Sequence, residues 1–119
     1  NNPIETCTSI YGASRMTKVR DFAYHAVDAG LDGLVCSPHE AEMLKNDPRT
    51  AHMLLVIPAI RPPYAINPDE QNIAATPHVA MDAGADLLVI GRPITEAASY
   101  GLTGGEAVDL IVENMGMAA

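Results

Sequence analysis

Apolar and polar residues alternate along the chain in blocks that predict strands followed by helices. Apolar runs at 34–36, 53–57 and 87–90 are typical of strands buried on both faces of a parallel sheet. A further candidate strand, weakened by Glu5, covers 4–9. Segment 14–29 carries apolar residues three and four positions apart, which predicts an amphipathic helix. The order of these blocks is strand, helix, strand, helix.

Capping residues support the predicted helix boundaries. Ser14 and Gly30 bracket the first helix as N-cap and C-terminal glycine. Ser37 and Glu40, with a proline between them, form a capping-box pattern that opens a second, short helix. The remaining predicted helices begin at Thr76-Pro77, at Pro93 and at about Glu106.

The segments 28–35 and 82–89 nearly repeat each other, each with a helix end, a glycine, an aspartate and an apolar strand. A repeated β/α unit explains this pattern. The chain has 119 residues, about half of the roughly 250 usual for an eight-stranded barrel. We therefore predict one α/β domain over 1–119, built as four consecutive β/α units, half of a TIM (β/α)8 barrel.

A half-barrel leaves sheet edges and interior side chains uncovered. We therefore expect the chain to pair with the missing half of the barrel or to self-associate.

Composition narrows the range of functions. The net charge of −8 argues against nucleic acid or a membrane surface as partner. No apolar run is long enough for a membrane span. Cys7 and Cys36 are far apart, which favours reduced thiols and a cytoplasmic location. The histidines show no metal-ligand spacing, so no metal site is predicted.

The ends of the predicted strands carry the candidate chemistry. In α/β folds of this type, ligands bind beyond the carboxyl ends of the strands. Gly91 and Arg92 follow the strand at 87–90, and a glycine turn, a helix start and a guanidinium together favour a phosphate. An ordinary strand-to-helix turn with a solvated arginine is the alternative. Arg61 follows the strand at 53–57, and a long loop, 61–75, comes after it.

These strand ends, read together, resemble the orotidine 5′-phosphate decarboxylase family. The matching phrases are Thr8-Ser9, the segments 30–37 and 58–62, Gln71 with Thr76-Pro77, and the segment 89–94. The resemblance covers the carboxyl-terminal half of the family's barrel, which implies a missing amino-terminal half-barrel as the partner. It implies that orotidine and uridine monophosphate are ligands and that no metal or organic cofactor is needed.

The resemblance also implies roles for particular residues. Gly91 and Arg92 would form the main phosphate site, and Arg61 would make a further ligand contact. Gln71 would bridge the phosphate and the pyrimidine, while Thr8, with Ser9 beside it, would read the pyrimidine ring. The substrate-binding set is completed by the residues that precede Arg61, namely Pro58 and Ala59.

The sequence departs from the family pattern in two places. Ala59 stands where the family usually has glycine, and its methyl group would crowd the phosphate or oppose a positive φ. The family's catalytic Asp-x-Lys-x-x-Asp pattern is absent, because neither Lys18 nor Lys45 lies in such a context. We therefore assign no catalytic residue to this chain.

Three functions are compatible with these observations. The first is decarboxylation of orotidine monophosphate, with this chain supplying the phosphate site and part of the pyrimidine site. The second is an inactive half-barrel that only binds phosphate or nucleotide. The third is a related phosphate-sugar barrel enzyme, such as hexulose-phosphate synthase, against which Arg61 and Gln71 argue. We expect the isolated chain to be inactive, and the loop 61–75 to act as a lid.

Overall fold

A computed structural model of the chain describes residues 14–67 and 75–116. Its sheet has three parallel strands in the order β1 (Gly33–Val35), β2 (Leu54–Ile57) and β3 (Leu87–Leu88). The α-helices are α1 (Arg15–Asp28), α2 (Pro38–Asn46), α3 (Pro77–Asp82), α4 (Arg92–Thr95) and α5 (Gly104–Asn114), and two 3-10 helices cover Pro63–Ala65 and Ala97–Tyr100. The predicted α/β class with a parallel sheet is confirmed. The candidate strand at 4–9 lies outside the described residues.

Local capping explains where the helices begin. The Ser14 hydroxyl accepts the Thr17 N–H, and Ser37 forms the predicted reciprocal capping box with Glu40. Thr103 and Glu106 form a second capping box. The last helix therefore begins at Gly104 rather than at about Glu106, because the cap outweighs the low helix propensity of two glycines.

The core lies between one face of the sheet and the helices that cover it. Leu55 and Ile57 of β2, the central strand, are fully buried and point into this layer. Leu44 of α2 and Ala80 of α3 reach the same layer from the helical side. The remaining members of the cluster are Ala23, Cys36, Ala41, Ile60 and Ala85. This packing holds the strands parallel, so the loops that follow them leave from the same edge of the sheet.

The opposite face of the sheet is apolar and exposed. The residues that alternate with the core positions are accessible to 71% at Val35, 49% at Leu54, 56% at Leu87 and 52% at Val89. Because Val35 pairs with Val56 and Val56 with Leu87, three apolar side chains form one row across the strands. None of the helices that the structure describes is long and apolar enough to cross a membrane.

Two elements near the carboxyl ends of the strands also differ from the prediction. The strand predicted at 87–90 is shorter, although the Val89 N–H still donates to the Ile57 carbonyl at 3.0 Å. The loop predicted at 61–75 contains the 3-10 helix Pro63–Ala65 within its described part. Both differences lie at the carboxyl ends of the strands, where the candidate site was predicted.

Candidate functional site

Arg61 and Arg92 lie beyond adjacent strands at the same edge of the sheet. Ile57 and Leu88 are paired residues of β2 and β3, and the two arginines follow this pair at equal distances along the chain. Parallel strands deliver their carboxyl ends to one side of a sheet. The fold therefore places two permanently charged guanidinium groups on neighbouring loops.

The turn at Gly91 has open space beside its backbone. A Cβ atom built on Gly91 meets nothing within 4 Å. Ile94 and Thr95 both donate their N–H groups to the Gly91 carbonyl. The N–H groups of Gly91 and Arg92 have no acceptor within 14–67 or 75–116. This turn can therefore offer two amide donors and the exposed Arg92 side chain to an anion.

Ala59 adopts a left-handed backbone conformation with φ of 59°. Alanine therefore does not prevent a positive φ here, although the conformation costs it about 1–2 kcal/mol. Two contacts hold the turn. Ile60 is almost fully buried and forms a parallel bridge with Ala75, and the Arg61 N–H donates to the Ala75 carbonyl at 2.9 Å. The fixed backbone that follows Ala59 thus imposes the strain.

The structure brings together part of the predicted site. Pro58, Ala59 and Arg61 follow β2, and Gly91 and Arg92 follow β3. Pro58 and Ala59 are exposed, so the turn before Arg61 is open to a ligand. The other predicted contacts, Thr8, Ser9 and Gln71, lie outside the described residues.

Tyr64 is a site-proximal residue that sequence reasoning missed. Its hydroxyl donates to the Pro93 carbonyl at 2.8 Å. Its ring meets the Tyr100 ring edge-on, with centroids 5.3 Å apart. No local pattern signals either contact, since the partners are distant along the chain.

Both lysines lie on helices rather than on the loops that follow the strands. Lys45 donates to Asp86 at 2.9 Å and to the Met53 carbonyl at 3.2 Å, and these two residues directly precede β3 and β2 at the amino ends of the strands. Lys18 lies 5.6 Å from the centroid of the Phe22 ring on α1. Partial burial alone would raise the pKa of Asp86, but the Leu55 N–H and Lys45 together hold that pKa below its ordinary value. Asp86 therefore stabilises the opposite end of the sheet.

Other reactive side chains have structural surroundings. Cys36 is buried, as predicted for a core thiol, and burial raises its pKa to about 11. His39 and His78 are exposed. Within the described residues, no three histidine, cysteine, aspartate or glutamate side chains are grouped to hold a metal ion. A groove of about 820 Å³ between α2 and α3 includes neither Arg61 nor Arg92 in its lining.

Parallel strands joined by helices, with arginines beyond the carboxyl ends of the strands, define an α/β protein of the kind found in β/α barrels. The chain belongs to the orotidine 5′-phosphate decarboxylase / HUMPS family, whose sequence model matches residues 10–102.

Individual relatives agree with this membership. The chain is similar to orotidine 5′-phosphate decarboxylase from Idiomarina loihiensis, with 46% identity over 86 residues, covering 72% of the chain and 36% of the relative. With the enzyme of that name from Pseudomonas fluorescens strain SBW25, it shares 55% identity over 75 residues, covering 61% of the chain and 30% of the relative. The chain spans about a third of the length of the curated relatives it matches.

A solved structure shows the same relationship in three dimensions. The crystal structure of orotidine 5′-phosphate decarboxylase from Lactobacillus acidophilus superposes with a TM-score of 0.68 at 25% identity. The match covers 97% of this chain and 44% of that one. The fold described above is therefore similar to a little under half of that enzyme.

Proposed function

We propose that this chain supplies the phosphate site, and part of the pyrimidine site, of an enzyme that decarboxylates orotidine 5′-monophosphate to uridine 5′-monophosphate in pyrimidine biosynthesis. The observation that carries the proposal is the placement of Arg61 and Arg92 beyond paired residues of adjacent parallel strands in a member of this family. Two guanidinium groups at one edge suit a dianionic phosphate ester.

The turn at Gly91 supplies backbone N–H donors in addition to the arginine side chains. The open space beside Gly91 gives phosphate oxygens access to the backbone N–H groups, and Arg92 adds a charged fork next to them. Arg61 would bind from the neighbouring loop, behind the exposed turn of Pro58 and Ala59. Thr8 and Ser9 remain predicted pyrimidine contacts, and Gln71 remains a predicted bridge between the phosphate and the pyrimidine.

The catalytic groups of such an enzyme would come from the rest of the barrel. The sequence has only two lysines, and neither follows the Asp-x-Lys-x-x-Asp pattern. Lys45 is engaged with Asp86 at the end of the sheet opposite the arginines. We therefore expect this chain to bind substrate and to decarboxylate it only together with the missing part.

The apolar face of the sheet supports completion by further strands. Val35, Leu54 and Leu87 would face the interior of a closed barrel and be buried there. Helix α5 exposes Val108 and Val112, one turn apart, in a position to pack against a following unit. The rest of the barrel, on the same polypeptide or on a second one, would cover these surfaces.

A binding protein without catalysis is the second candidate. It is favoured by the engagement of Lys45 with Asp86, because this removes one of the two lysines from the strand ends where chemistry would occur. The two candidates make the same prediction for phosphate binding and opposite predictions for turnover.

The test measures binding and turnover separately. Uridine monophosphate binding and orotidine monophosphate turnover are assayed with this chain alone and after mixing with the unmatched amino-terminal part of the Idiomarina loihiensis relative. We expect nucleotide binding, and turnover only in the mixture. Binding without turnover in the mixture would support the second candidate, whereas no nucleotide binding in either sample would contradict both.

Arg92→Ala tests the assigned phosphate contact. A charge-assisted hydrogen bond contributes roughly 1.5–3 kcal/mol, so affinity for uridine monophosphate should fall about 10- to 150-fold. Arg20→Ala, which removes an exposed arginine from α1, is the matched control and should leave affinity unchanged. Equal affinities of the parent and Arg92→Ala would show that this turn does not bind the phosphate.

A further inference from the structure

The two arginine-bearing loops are joined by one tyrosine. Tyr64 lies in the 3-10 helix Pro63–Ala65, shortly after Arg61. This segment is firmly seated, because Pro62 and Ala65 on either side of Tyr64 are buried. The Arg61 N–H is bound to the Ala75 carbonyl at 2.9 Å. Tyr64 therefore extends from a fixed support.

Tyr64 contacts both ends of the segment that carries Arg92. Its hydroxyl donates to the carbonyl of Pro93, the residue after Arg92, at 2.8 Å. Its ring meets Tyr100, the last residue of the 3-10 helix that follows α4, with an interplanar angle of 69°. The segment from Arg92 to Tyr100 is thus held at both ends by one side chain.

This segment needs such support, because its own helix is short. Helix α4 has four residues, and its N-cap, Gly91, has no side chain to cap the first turn. A single helical turn is not stable on its own. The position of the turn that bears Arg92 therefore depends on tertiary contacts, and the Tyr64 hydrogen bond to the residue after Arg92 is one of them.

The donor remains available at neutral pH. Burial, and secondarily the neighbouring Tyr100, raise the pKa of Tyr64 above its ordinary value. The phenol therefore keeps its proton, and the Pro93 carbonyl can only accept.

We propose that Tyr64 is a positioning residue that sets the placement of Arg92 relative to Arg61, and thereby the affinity for the phosphate group of the ligand. The inference rests on the function proposed above. It adds to that function a residue that does not itself touch the ligand and acts through the Pro93 carbonyl.

Tyr64→Phe tests this by removing the hydroxyl and keeping the ring against Tyr100. We expect affinity for uridine monophosphate to fall about three- to tenfold, as for the loss of one hydrogen bond, with affinity for uridine unchanged. Tyr24→Phe is the matched control, because it removes a tyrosine hydrogen bond to Asp47, which follows the end of α2 and lies away from both arginine-bearing loops. Both variants should lose similar thermal stability, and only Tyr64→Phe should lose affinity for the nucleotide.

A double-mutant cycle shows whether Tyr64 acts through Arg92. In an Arg92→Ala background, Tyr64→Phe should reduce nucleotide affinity by much less than in the parent. Full additivity of the two effects would overturn the inference, as would an equal loss of uridine affinity. Tyr100→Leu removes the ring that Tyr64 contacts and leaves the Tyr64 hydroxyl in place. It should therefore weaken nucleotide binding in the same phosphate-specific way. This variant tests the inference even if Tyr64→Phe does not fold.

The outcomes separate this inference from the function on which it rests. If the parent binds no uridine monophosphate, the proposed function fails and the inference fails with it. If the parent binds and Arg92→Ala weakens binding while Tyr64→Phe and Tyr100→Leu do not, the inference alone is overturned.

Discussion

One residue beyond the carboxyl end of β2 holds a backbone conformation that its amino-acid type does not favour. Ala59 is the non-glycine residue with positive φ in the described chain, and it precedes Arg61 by two positions. A left-handed alanine persists only where its surroundings enforce it. Here Ile60 and the Arg61–Ala75 hydrogen bond fix the backbone that follows. The strained residue thus lies close along the chain to Arg61, which we propose binds the phosphate.

Replacing Ala59 by glycine should relieve this strain. The left-handed conformation costs alanine about 1–2 kcal/mol, while glycine gives up roughly 0.4–1 kcal/mol through its freedom in the unfolded chain. We expect Ala59→Gly to raise the free energy of unfolding by up to about 1 kcal/mol, measured by urea denaturation. Gly30→Ala, at φ of 78° with open space around it, is the inverse control and should destabilise. A less stable Ala59→Gly variant would contradict this account of the turn.

At the scale of elements, a polar link joins α2, β2 and β3 at the amino ends of the strands. Asp86 accepts the Leu55 N–H at 2.8 Å and the Lys45 ammonium at 2.9 Å. The Asp86 N–H in turn donates to the Leu55 carbonyl. The carboxylate therefore satisfies a backbone donor of the central strand, which is a larger contribution than its partly exposed ion pair.

Removing each partner should separate these two contributions. Asp86→Ala leaves the Leu55 N–H without its acceptor and should cost about 1–3 kcal/mol of unfolding free energy. Lys45→Met breaks only the ion pair and the bond to the Met53 carbonyl, and should cost less, at most about 1 kcal/mol. Comparable losses in denaturant titrations of the two variants would show that the ion pair dominates.

The same link predicts an acid response. Because the pKa of Asp86 is lower in the folded chain than in the unfolded chain, its contribution is fully present above the unfolded value, about 3.9. The contribution is lost as the pH falls through the folded value. The difference in unfolding free energy between the parent and Asp86→Ala should therefore narrow below pH 4. Denaturant titrations of both proteins at each pH measure this difference. A difference that stays constant down to pH 2 would contradict the lowered pKa.

These elements show which parts of the fold can be predicted from the sequence. Caps such as Ser37 with Glu40, and apolar runs such as 53–57, are local patterns, so they predicted helix starts and strands to within a few residues. The Lys45–Asp86 and Tyr64–Pro93 contacts join residues far apart along the chain, and no local pattern reports them. The placement of Arg61 and Arg92 beyond the carboxyl ends of two strands could be predicted from the sequence, whereas the placement of Tyr64 between their loops could not.

At the scale of the whole molecule, the sheet separates a packed side from an open side. Leu55 is fully buried against helices, while its neighbour Leu54 is about half exposed on the other face. An exposed apolar sheet face is unusual in a finished domain and marks a surface to be covered. In the proposed barrel this face becomes interior, so the same residues would stabilise the assembled barrel while contributing little to this part alone.

Adjacent leucines with opposite orientation test this division. Leu55→Ala creates a cavity in the existing core and should cost about 2–5 kcal/mol of unfolding free energy in the chain alone. Leu54→Ala should change the stability of the chain alone by less than about 1 kcal/mol, because the side chain is already half in water. When the amino-terminal part of the barrel is added, Leu54→Ala should weaken association, measured by sedimentation, because Leu54 is then buried at the interface. If Leu54→Ala associates as tightly as the parent, this face of the sheet is not the surface that the rest of the barrel covers.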